Sequence, residues 1–308
     1  MYDLIGDIHG HAEELEKLLI HLGYSRSDGG YLHPERKVIF VGDFIDRGEK
    51  LAQHKRLLEL VMKMVRSGHA LAVMGNHEFN ALAYHTEHEG GYLRPHIEKN
   101  RRQHQAFLNE YDNDPEAKSA VLDFFYELPM WLELDGFRVV HACWDQKSID
   151  ILSELVGCEG YLNPDLLVRA STMGTREYDA IETLLKGHEV DLPDGISFQD
   201  KDGNERNNVR VKWWNSAAGN LKDLALPEGI ELGEAGKISV LRGIPFYDSK
   251  AKPCFLGHYW LKGEPQPLAH NVACLDYSVA KEGKLVAYRW QGEGALTKEN
   301  FTYVNLAN

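Results

Sequence analysis

Hydrophobic positions in the first 80 residues alternate between two spacings. Residues 2–5, 37–41 and 70–74 are short runs of apolar and β-branched side chains, the pattern of buried strands. Between these runs, apolar residues recur three and four positions apart, which predicts two amphipathic helices. The apolar positions of these helices are Leu15, Leu18, Leu19 and Leu22, then Leu57, Leu58, Val61, Met64 and Val65. Strands separated by helices of this length indicate βαβ units and a parallel sheet.

The polar and apolar pattern changes after this region. Residues 85–130 are polar, and their apolar positions are spaced for helices. Two apolar runs follow, at residues 131–134 and 137–141, and Asp135-Gly136 between them is a dipeptide typical of a tight turn. We therefore expect a helical segment that leads into a β-hairpin.

The second half of the chain is expected to return to short strands after an insertion. Residues 146–235 begin with helical spacing and become polar and glycine-rich around 187–208, which favours a surface insertion. The expected strands lie at residues 238–241, 254–256, 272–275, 285–290 and 301–304. No repeat or low-complexity linker separates these parts. We expect one α/β domain over residues 1–308, with insertions near 85–130 and 146–235.

The composition is that of a globular protein. Of the 308 residues, 43% are hydrophobic and 26% are charged. No apolar run approaches the roughly 20 residues of a membrane-spanning helix, so we expect no membrane association. The N-terminal residues contain neither a basic region nor an apolar leader, so no secretory signal is indicated. None of the four cysteines forms a C-x-x-C pair, so neither a zinc ribbon nor a disulfide scaffold is indicated, and a reduced cytoplasmic protein is expected.

The charge balance is acidic, with a formal net charge of −13. Proteins that bind a nucleic-acid backbone usually present a basic face, and no cluster of basic residues here is longer than an adjacent pair such as Arg101-Arg102. Nucleic acid is therefore not the expected partner. Most of the excess carboxylate is interpreted as solvated surface, and a small part of it as cation ligands.

Three successive strands end in residues that bind metals well. The sequence reads GDIHG at 6–10, GDFIDRG at 42–48 and GNHE at 75–78. Ligands of open α/β sheets bind outside the carboxyl ends of the strands, so these turns should converge. Asp, His and Asn together suit divalent ions such as Mn²⁺, Fe²⁺ or Zn²⁺, and such a site can hold two ions bridged by one carboxylate.

These motifs, with Val140-His141-Ala142 and Gly257-His258, resemble those of the metallophosphoesterases, and specifically of their phosphoprotein phosphatase branch. The motifs extend from residue 6 to residue 258. The resemblance implies a β-sandwich of two mixed sheets flanked by helices, with the metal site at the strand ends. The wider superfamily usually has a Gly-His-x-His motif, whereas here Tyr259 and Trp260 follow His258. The missing second histidine favours the phosphoprotein phosphatase branch.

The resemblance also implies two divalent metal ions, Mn²⁺ foremost and Fe or Zn as alternatives. Six residues match the ligands of these ions: Asp7 and His9 for the first, Asp43 as the bridge, and Asn76, His141 and His258 for the second. A hydroxide shared by the two ions would attack phosphorus.

Three further residues match the substrate and proton-transfer groups of the family. Arg47 resembles the arginine that holds the phosphate, His77 the catalytic histidine, and Asp46 the carboxylate that orients it. Further phosphate-binding arginines are known in the family, and the candidates here lie in no clear motif. They are Arg169, Arg176 and Arg210.

The leading hypothesis is a phosphatase that acts on phosphomonoesters of a protein or a small molecule. A close alternative is a dinucleoside tetraphosphate hydrolase, because residues 180–187 are similar to the PrpE-like, asymmetric tetraphosphatase type. A phosphodiesterase is disfavoured by the acidic charge and by the missing second histidine. A non-catalytic binding module is disfavoured because every ligand position, His77 and Arg47 are retained.

Overall fold

The computed structural model describes residues 1–47, 52–193, 195–199, 205–237 and 243–306. The larger of its two main sheets is mixed. Its order is Asp276–Tyr277, Lys284–Trp290, Tyr2–Ile5, Lys37–Phe40 and Ala70–Ala72, with Phe301–Asn305 also paired to Lys284–Trp290. The three N-terminal strands run parallel, with Tyr2 opposite Lys37 and Val38 opposite Ala70, while the strands from the C-terminal region are antiparallel. The parallel arrangement expected from the βαβ pattern is confirmed.

A second mixed sheet carries the hairpin and two later strands. Its order is Val272–Cys274, Cys254–Leu256, Arg138–Val140 and Trp131–Glu133. The two sheets face one another, and the ring centroids of Phe255 and Tyr288 lie 5.0 Å apart across the interface. The two mixed sheets flanked by helices agree with the expected metallophosphoesterase fold.

Side chains of the parallel strands alternate between two apolar cores. Leu4 and Ile39 pack between the sheets, whereas Ile5 and Phe40 pack against the helices. Successive side chains of a strand point to opposite faces, so both faces of this sheet are buried. This explains why the strands appear in the sequence as nearly continuous apolar runs.

Helices cover the outer faces of these sheets. The α-helices are Ala12–His21, His54–Arg66, Asn76–His85, Glu98–Gln103, Gln105–Tyr111, Pro115–Tyr126, Gln146–Val156, Pro164–Ser171, Arg176–Lys186 and Leu221–Leu224. Short 3₁₀ helices span Gly233–Lys237, Val279–Lys281 and Lys298–Asn300. Within the described residues, no helix has both the length and the apolar composition needed to cross a bilayer.

The polar stretch after residue 187 contains more structure than its sequence suggests. Its strands are Glu189–Asp191, Asn208–Val211 and Ala225–Leu226 in one small sheet, and Phe198–Gln199 with Glu205–Arg206 in a separate pair. Val209, Val211, Leu221 and Leu224 form a small apolar core of their own. The expected strand at residues 238–241 lies outside the described residues.

Two further pairs of short antiparallel strands are Ser25–Ser27 with Gly30–Leu32 and Glu87–His88 with Gly91–Tyr92. The second pair lies within the segment expected to be helical. The pair precedes the helices of that segment, so only the N-terminal end of the segment differs from the expected helical structure.

Candidate metal centre and active site

The turns that follow the three parallel strands meet in space. Asp7, Asp43 and Asn76 stand just beyond the strand ends. The turns are joined by hydrogen bonds from the amide of Ile8 to the carbonyl oxygen of Asp43 (3.0 Å) and from the amide of His77 to Asp43 Oδ1 (3.1 Å). The structure therefore brings these three residues to one edge of the sheet. Gly48, the last residue of the second motif, lies outside the described residues.

Asp43 belongs to two groups of side chains that could each hold a cation. One group contains His9, Asp43 and His77, and the other contains Asp43, His141 and His258. The candidate ligand atoms of each group lie within 4.8 Å of one another. Asp43 Oδ2 is 3.8 Å from His9 Nε2 and 3.4 Å from His141 Nε2, so one carboxylate faces both groups.

Asn76 and Asp7 complete the set of candidate ligands. Asn76 Oδ1 lies 2.7 Å from His258 Nδ1 and 3.1 Å from His141 Nε2. Asp7 Oδ2 accepts a hydrogen bond from the amide of His258 (3.0 Å). The six residues expected as metal ligands are thus gathered in one place, although they come from both sheets.

Several buried polar atoms at this place lack a hydrogen-bond partner among the described residues. They are Asp7 Oδ1, His9 Nε2 and His258 Nε2. Leaving such atoms unpaired is costly, and cations bound at the two ligand groups would satisfy them. The packing is tight around them, since a Cβ on Gly257 would lie 1.9 Å from Asp7 Oδ1. A donor set of imidazoles, carboxylates and an amide fits Mn²⁺, Fe²⁺ or Zn²⁺.

Two of the histidines are oriented as metal-binding histidines usually are. His9 Nδ1 donates to the carbonyl oxygen of Ile45 (2.9 Å), and His141 Nδ1 donates to that of Val41 (2.7 Å). Donation from Nδ1 leaves Nε2 to bind a cation. Burial lowers the pKa of His9 to about 3, so its imidazole is neutral, as a metal ligand must be.

Several ionisable side chains at the centre have pKa values far from their usual ranges. Burial and the nearby carboxylate of Asp276 raise the pKa of Asp7 well above its usual range. Burial also opposes ionisation of Asp43, but the neighbouring histidines, His141 foremost, hold the pKa of Asp43 well below its usual range. Although burial lowers the pKa of His141, Asp43 and then Asp7 raise it to about 10. An imidazole that binds a metal must be neutral, so a divalent ion bound at His141 would compete with its proton.

The backbone of the site adopts an uncommon conformation. Left-handed φ angles occur at His9 (46°), Asp43 (52°), Asp46 (65°), Arg47 (57°) and His258 (71°). Such a conformation costs free energy in residues other than glycine, and it persists only where the surroundings enforce it. Its concentration at these residues is typical of a functional site.

Glu78 holds the backbone of one of these turns, at Asp43, and no role for it was inferred from the sequence. Its carboxylate accepts hydrogen bonds from the amides of Asp43 (2.9 Å), Phe44 (2.8 Å) and Gly75 (3.0 Å). Burial and the charge of Asp43 raise the pKa of Glu78 to about 7. The GNHE motif contains Glu78 and its near partner Gly75, three residues away, but Asp43 and Phe44 lie 35 and 34 residues away and leave no local signal.

His77 and Asp46 form a hydrogen-bonded pair beside the metal ligands. His77 Nδ1 lies 2.7 Å from Asp46 Oδ2, and His77 Nε2 lies 4.0 Å from Asp43 Oδ2. Burial lowers the pKa of His77, but Asp43 and Asp46 outweigh burial, and the net shift is upward. The hydrogen bond to Asp46 therefore orients the imidazole, with Nε2 facing the centre, where a protonated His77 could donate a proton.

A second histidine, His104, binds the other oxygen of Asp46. His104 Nδ1 lies 2.8 Å from Asp46 Oδ1, and the side chain is buried. His104 stands between the helices Glu98–Gln103 and Gln105–Tyr111, within the segment expected to be an insertion. Nothing in its local sequence marks it, because the contact joins residues 58 positions apart.

Arg47 lies against Trp260 at the edge of the centre. Its Cζ is 5.1 Å from the centroid of the Trp260 ring, and that ring is 5.9 Å from the ring of His9. The buried Nε of Arg47 finds no acceptor in the part of the chain that the structure describes. The guanidinium is therefore positioned for an anion at the metal centre. Trp260 occupies the position of the second histidine of the wider superfamily's Gly-His-x-His motif.

Of the three further candidate arginines, Arg210 lies near the centre. Its Cζ is 6.0 Å from the ring of Tyr259, and its charge contributes to a depressed pKa of His258, after the larger effect of burial. Arg169 and Arg176 are more than half exposed and pair with Glu177 (3.8 and 3.4 Å). The structure therefore separates Arg210 from the other two candidates.

The chain is similar in sequence to a known family and to several curated proteins. The family model described as calcineurin-like phosphoesterase matches residues 2–263. The chain is 32% identical over 142 residues to "Bis(5'-nucleosyl)-tetraphosphatase PrpE [asymmetrical]" of Oceanobacillus iheyensis, which covers 46% of this chain and 54% of that protein. A protein of the same description from Halalkalibacterium halodurans is 42% identical over 77 residues, covering 25% of this chain and 30% of that protein.

The chain thus spans about half of the first relative's length and less than a third of the second's. Among solved structures, a protein serine/threonine phosphatase from Saccharomyces cerevisiae aligns with 99% of this chain and 78% of its own, at a TM-score of 0.50 and 13% identity. That likeness concerns the fold alone. With the family model covering most of the sequence, the chain belongs to the calcineurin-like phosphoesterase family.

Proposed function

We propose that the chain is a phosphatase that hydrolyses phosphomonoesters with two divalent metal ions. The observation that carries this proposal is the cluster of unpaired buried ligand atoms around Asp43, with His77 and Arg47 beside it. In the proposed assignment, Asp43 would serve both ions. The remaining ligands would be Asp7 and His9 for one ion and Asn76, His141 and His258 for the other. Mn²⁺ is the proposed metal, and Fe²⁺ and Zn²⁺ suit the same donors.

When bound, the two ions would supply an activated water and neutralise charge on the phosphoryl oxygens. The side chains of the protein would bind the phosphate and transfer the proton. Arg47 would hold two phosphoryl oxygens through parallel N–H···O bonds. His77 would protonate the departing oxygen as its bond to phosphorus breaks, and Asp46 would keep the imidazole oriented. His104 would fix Asp46 in turn, since both oxygens of that carboxylate are engaged.

A dinucleoside tetraphosphate hydrolase is the second candidate function. Two observations favour it: the relatives described above carry that activity in their names, and a cleft bordered by lysines adjoins Trp260. In that case the leaving group is a nucleotide, and the residues around Asp43 keep the same roles. The two candidates therefore differ in substrate and share one mechanism.

The proposal predicts faster hydrolysis of an aryl phosphate than of its matched aryl diester, and it predicts how Arg47→Lys changes that preference. Lysine keeps the charge but cannot make two parallel hydrogen bonds. A monoester presents one more terminal anionic oxygen than a diester, so the variant should lose kcat/KM mainly on the monoester. We expect a loss of about tenfold or more, the size of one charge-assisted hydrogen bond.

The control for this experiment is Arg66→Lys. Arg66 is exposed at the end of helix His54–Arg66 and pairs with Glu127 (2.5 Å), so its replacement should leave both activities unchanged. Steady-state kinetics with Mn²⁺ on the two esters decides the matter. A wild-type protein that prefers the diester, or a variant that loses more on the diester, would contradict the monoesterase assignment.

A further inference from the structure

A cleft of about 470 Å³ lies next to the metal centre and shares a wall with it. Trp260 forms this wall, and the cleft is otherwise bordered by residues 261–263, 277–278, 281–284 and Asn305. Its volume falls in the range of small-molecule sites, roughly 300 to 1,000 Å³. The roles proposed above for the metal centre make no use of this cleft.

The Trp260 ring joins the cleft to the residue that would hold the scissile phosphate. Arg47 Cζ lies 5.1 Å from the ring centroid, and Lys281 Nζ lies 4.4 Å from the same centroid. Two cations so close to one point are less than about 10 Å apart. A short chain of phosphates could therefore contact both cations at once.

Lysines line the cleft, although the protein as a whole is acidic. The described lining residues include Lys262, Lys281 and Lys284 against a single carboxylate, Glu282. Lys284 also pairs with the exposed Glu264 (2.6 Å), which lies outside the lining. The chain as a whole carries a net charge of −13, so this concentration of lysines is a local departure that favours an anionic ligand.

The cleft wall is held rigidly by one buried carboxylate. Asp276 accepts hydrogen bonds from the amide of Trp260 (2.7 Å) and from that of Ser278 (2.9 Å). Trp260 and Ser278 have left-handed φ angles (54° and 61°), a costly conformation that these contacts maintain. The wall therefore exists before any ligand binds, which lowers the entropic cost of binding.

An aromatic ring gives the cleft an apolar surface as well. Trp260 is partly exposed, whereas Tyr277, which also borders the cleft, is only 4% exposed, and its hydroxyl accepts a hydrogen bond from the amide of Gln266 (3.0 Å). A ligand that suits this surface carries a flat, π-rich group together with several negative charges. A nucleoside that bears a chain of phosphates has both features.

We propose that this cleft binds the leaving group of a nucleoside polyphosphate. Lys281 would contact the phosphates that lie beyond the scissile one, and Trp260 would pack against the nucleoside. The inference rests on the proposed function of the metal centre, in its second candidate form, and adds the residues that would bind the leaving group. The subsite would account for the tryptophan at position 260, because its ring would form the wall between the scissile phosphate and the leaving group.

The test compares diadenosine tetraphosphate with a small aryl phosphate in the presence of Mn²⁺. Lys281→Met retains the aliphatic length of the side chain and removes its charge. We expect kcat/KM for the dinucleotide, relative to that for the aryl phosphate, to fall about tenfold, mainly through KM. Lys262→Met should shift the same ratio in the same direction. Lys250→Met, an exposed lysine outside the cleft, is the matched control and should not change the ratio.

Binding of adenosine triphosphate to the metal-depleted protein gives a readout that is independent of turnover. Calorimetry should detect binding to the wild type and weaker binding to Lys281→Met. An unchanged substrate ratio in both lysine variants, or equal losses on both substrates, would overturn the subsite. If the wild type hydrolyses the aryl phosphate but not the dinucleotide, the phosphatase proposal stands and the subsite falls. If it hydrolyses neither, both fall.

Discussion

Replacing Asp43 with asparagine is expected to abolish metal binding and hydrolysis together. Asp43 is the residue shared by the two candidate ligand groups, and its Oδ2 faces both His9 and His141. An amide lacks the charge needed to bridge two cations, so both groups should lose their ion. Removal of a general acid usually slows an enzyme by roughly 10² to 10⁴, and we expect the fall in kcat/KM of Asp43→Asn to be larger than that.

The variant should remain folded, because asparagine has the size of aspartate and can still accept the hydrogen bond from the amide of His77. Asp150→Asn, on the exposed face of helix Gln146–Val156, is the matched control and should keep metal and activity. Elemental analysis of the purified proteins gives the ions per chain. Two ions retained in Asp43→Asn would show that the carboxylate is not the bridge.

The second large effect is expected from His77→Asn, and it should spare the metals. His77 Nδ1 is hydrogen-bonded to Asp46 Oδ2 (2.7 Å), and His77 Nε2 is 4.0 Å from Asp43 Oδ2, so the imidazole is suited to proton transfer. Turnover should slow by roughly 10² to 10⁴, the usual contribution of general acid–base catalysis. The loss should shrink for esters whose leaving group departs without a proton.

The geometry also offers a rival role for His77, since it shares a candidate ligand group with His9 and Asp43. Metal content separates the two roles: a proton donor can be removed without losing an ion, and a ligand cannot. His21→Asn, at the exposed end of helix Ala12–His21, provides the control. Loss of an ion from His77→Asn, or equal losses on activated and unactivated esters, would refute the acid role.

The parts of the fold that the sequence predicted are those governed by local periodicity. Strands buried on both faces produce unbroken apolar runs, and amphipathic helices produce stripes at three and four residues, so the βαβ region was readily recognised. The convergence of Asp7, Asp43 and Asn76 followed from the parallel strands, because their carboxyl ends share one edge. His141 and His258 lie on the other sheet, and they were identified through the family resemblance.

The contacts that sequence reasoning missed depend on tertiary packing. His104 reaches Asp46 from a helical segment whose local pattern carries no functional mark, and Trp260 lies against Arg47 across more than 200 residues. Neither contact has a periodic or spacing signature. In the polar stretch after residue 187, the strands are two to four residues long, too short to produce a clear alternation. The small core there, which includes Val209 and Val211, was therefore not anticipated.

The most direct test of the account is to count metal ions and measure activity in the same samples. The protein is depleted of metal, titrated with Mn²⁺, freed of unbound ions and divided between elemental analysis and an aryl phosphate assay. We expect activity to rise with bound metal and to level off when each chain holds two ions. Full activity in the metal-depleted chain, or a plateau at one ion per chain, would contradict a dinuclear centre built around Asp43.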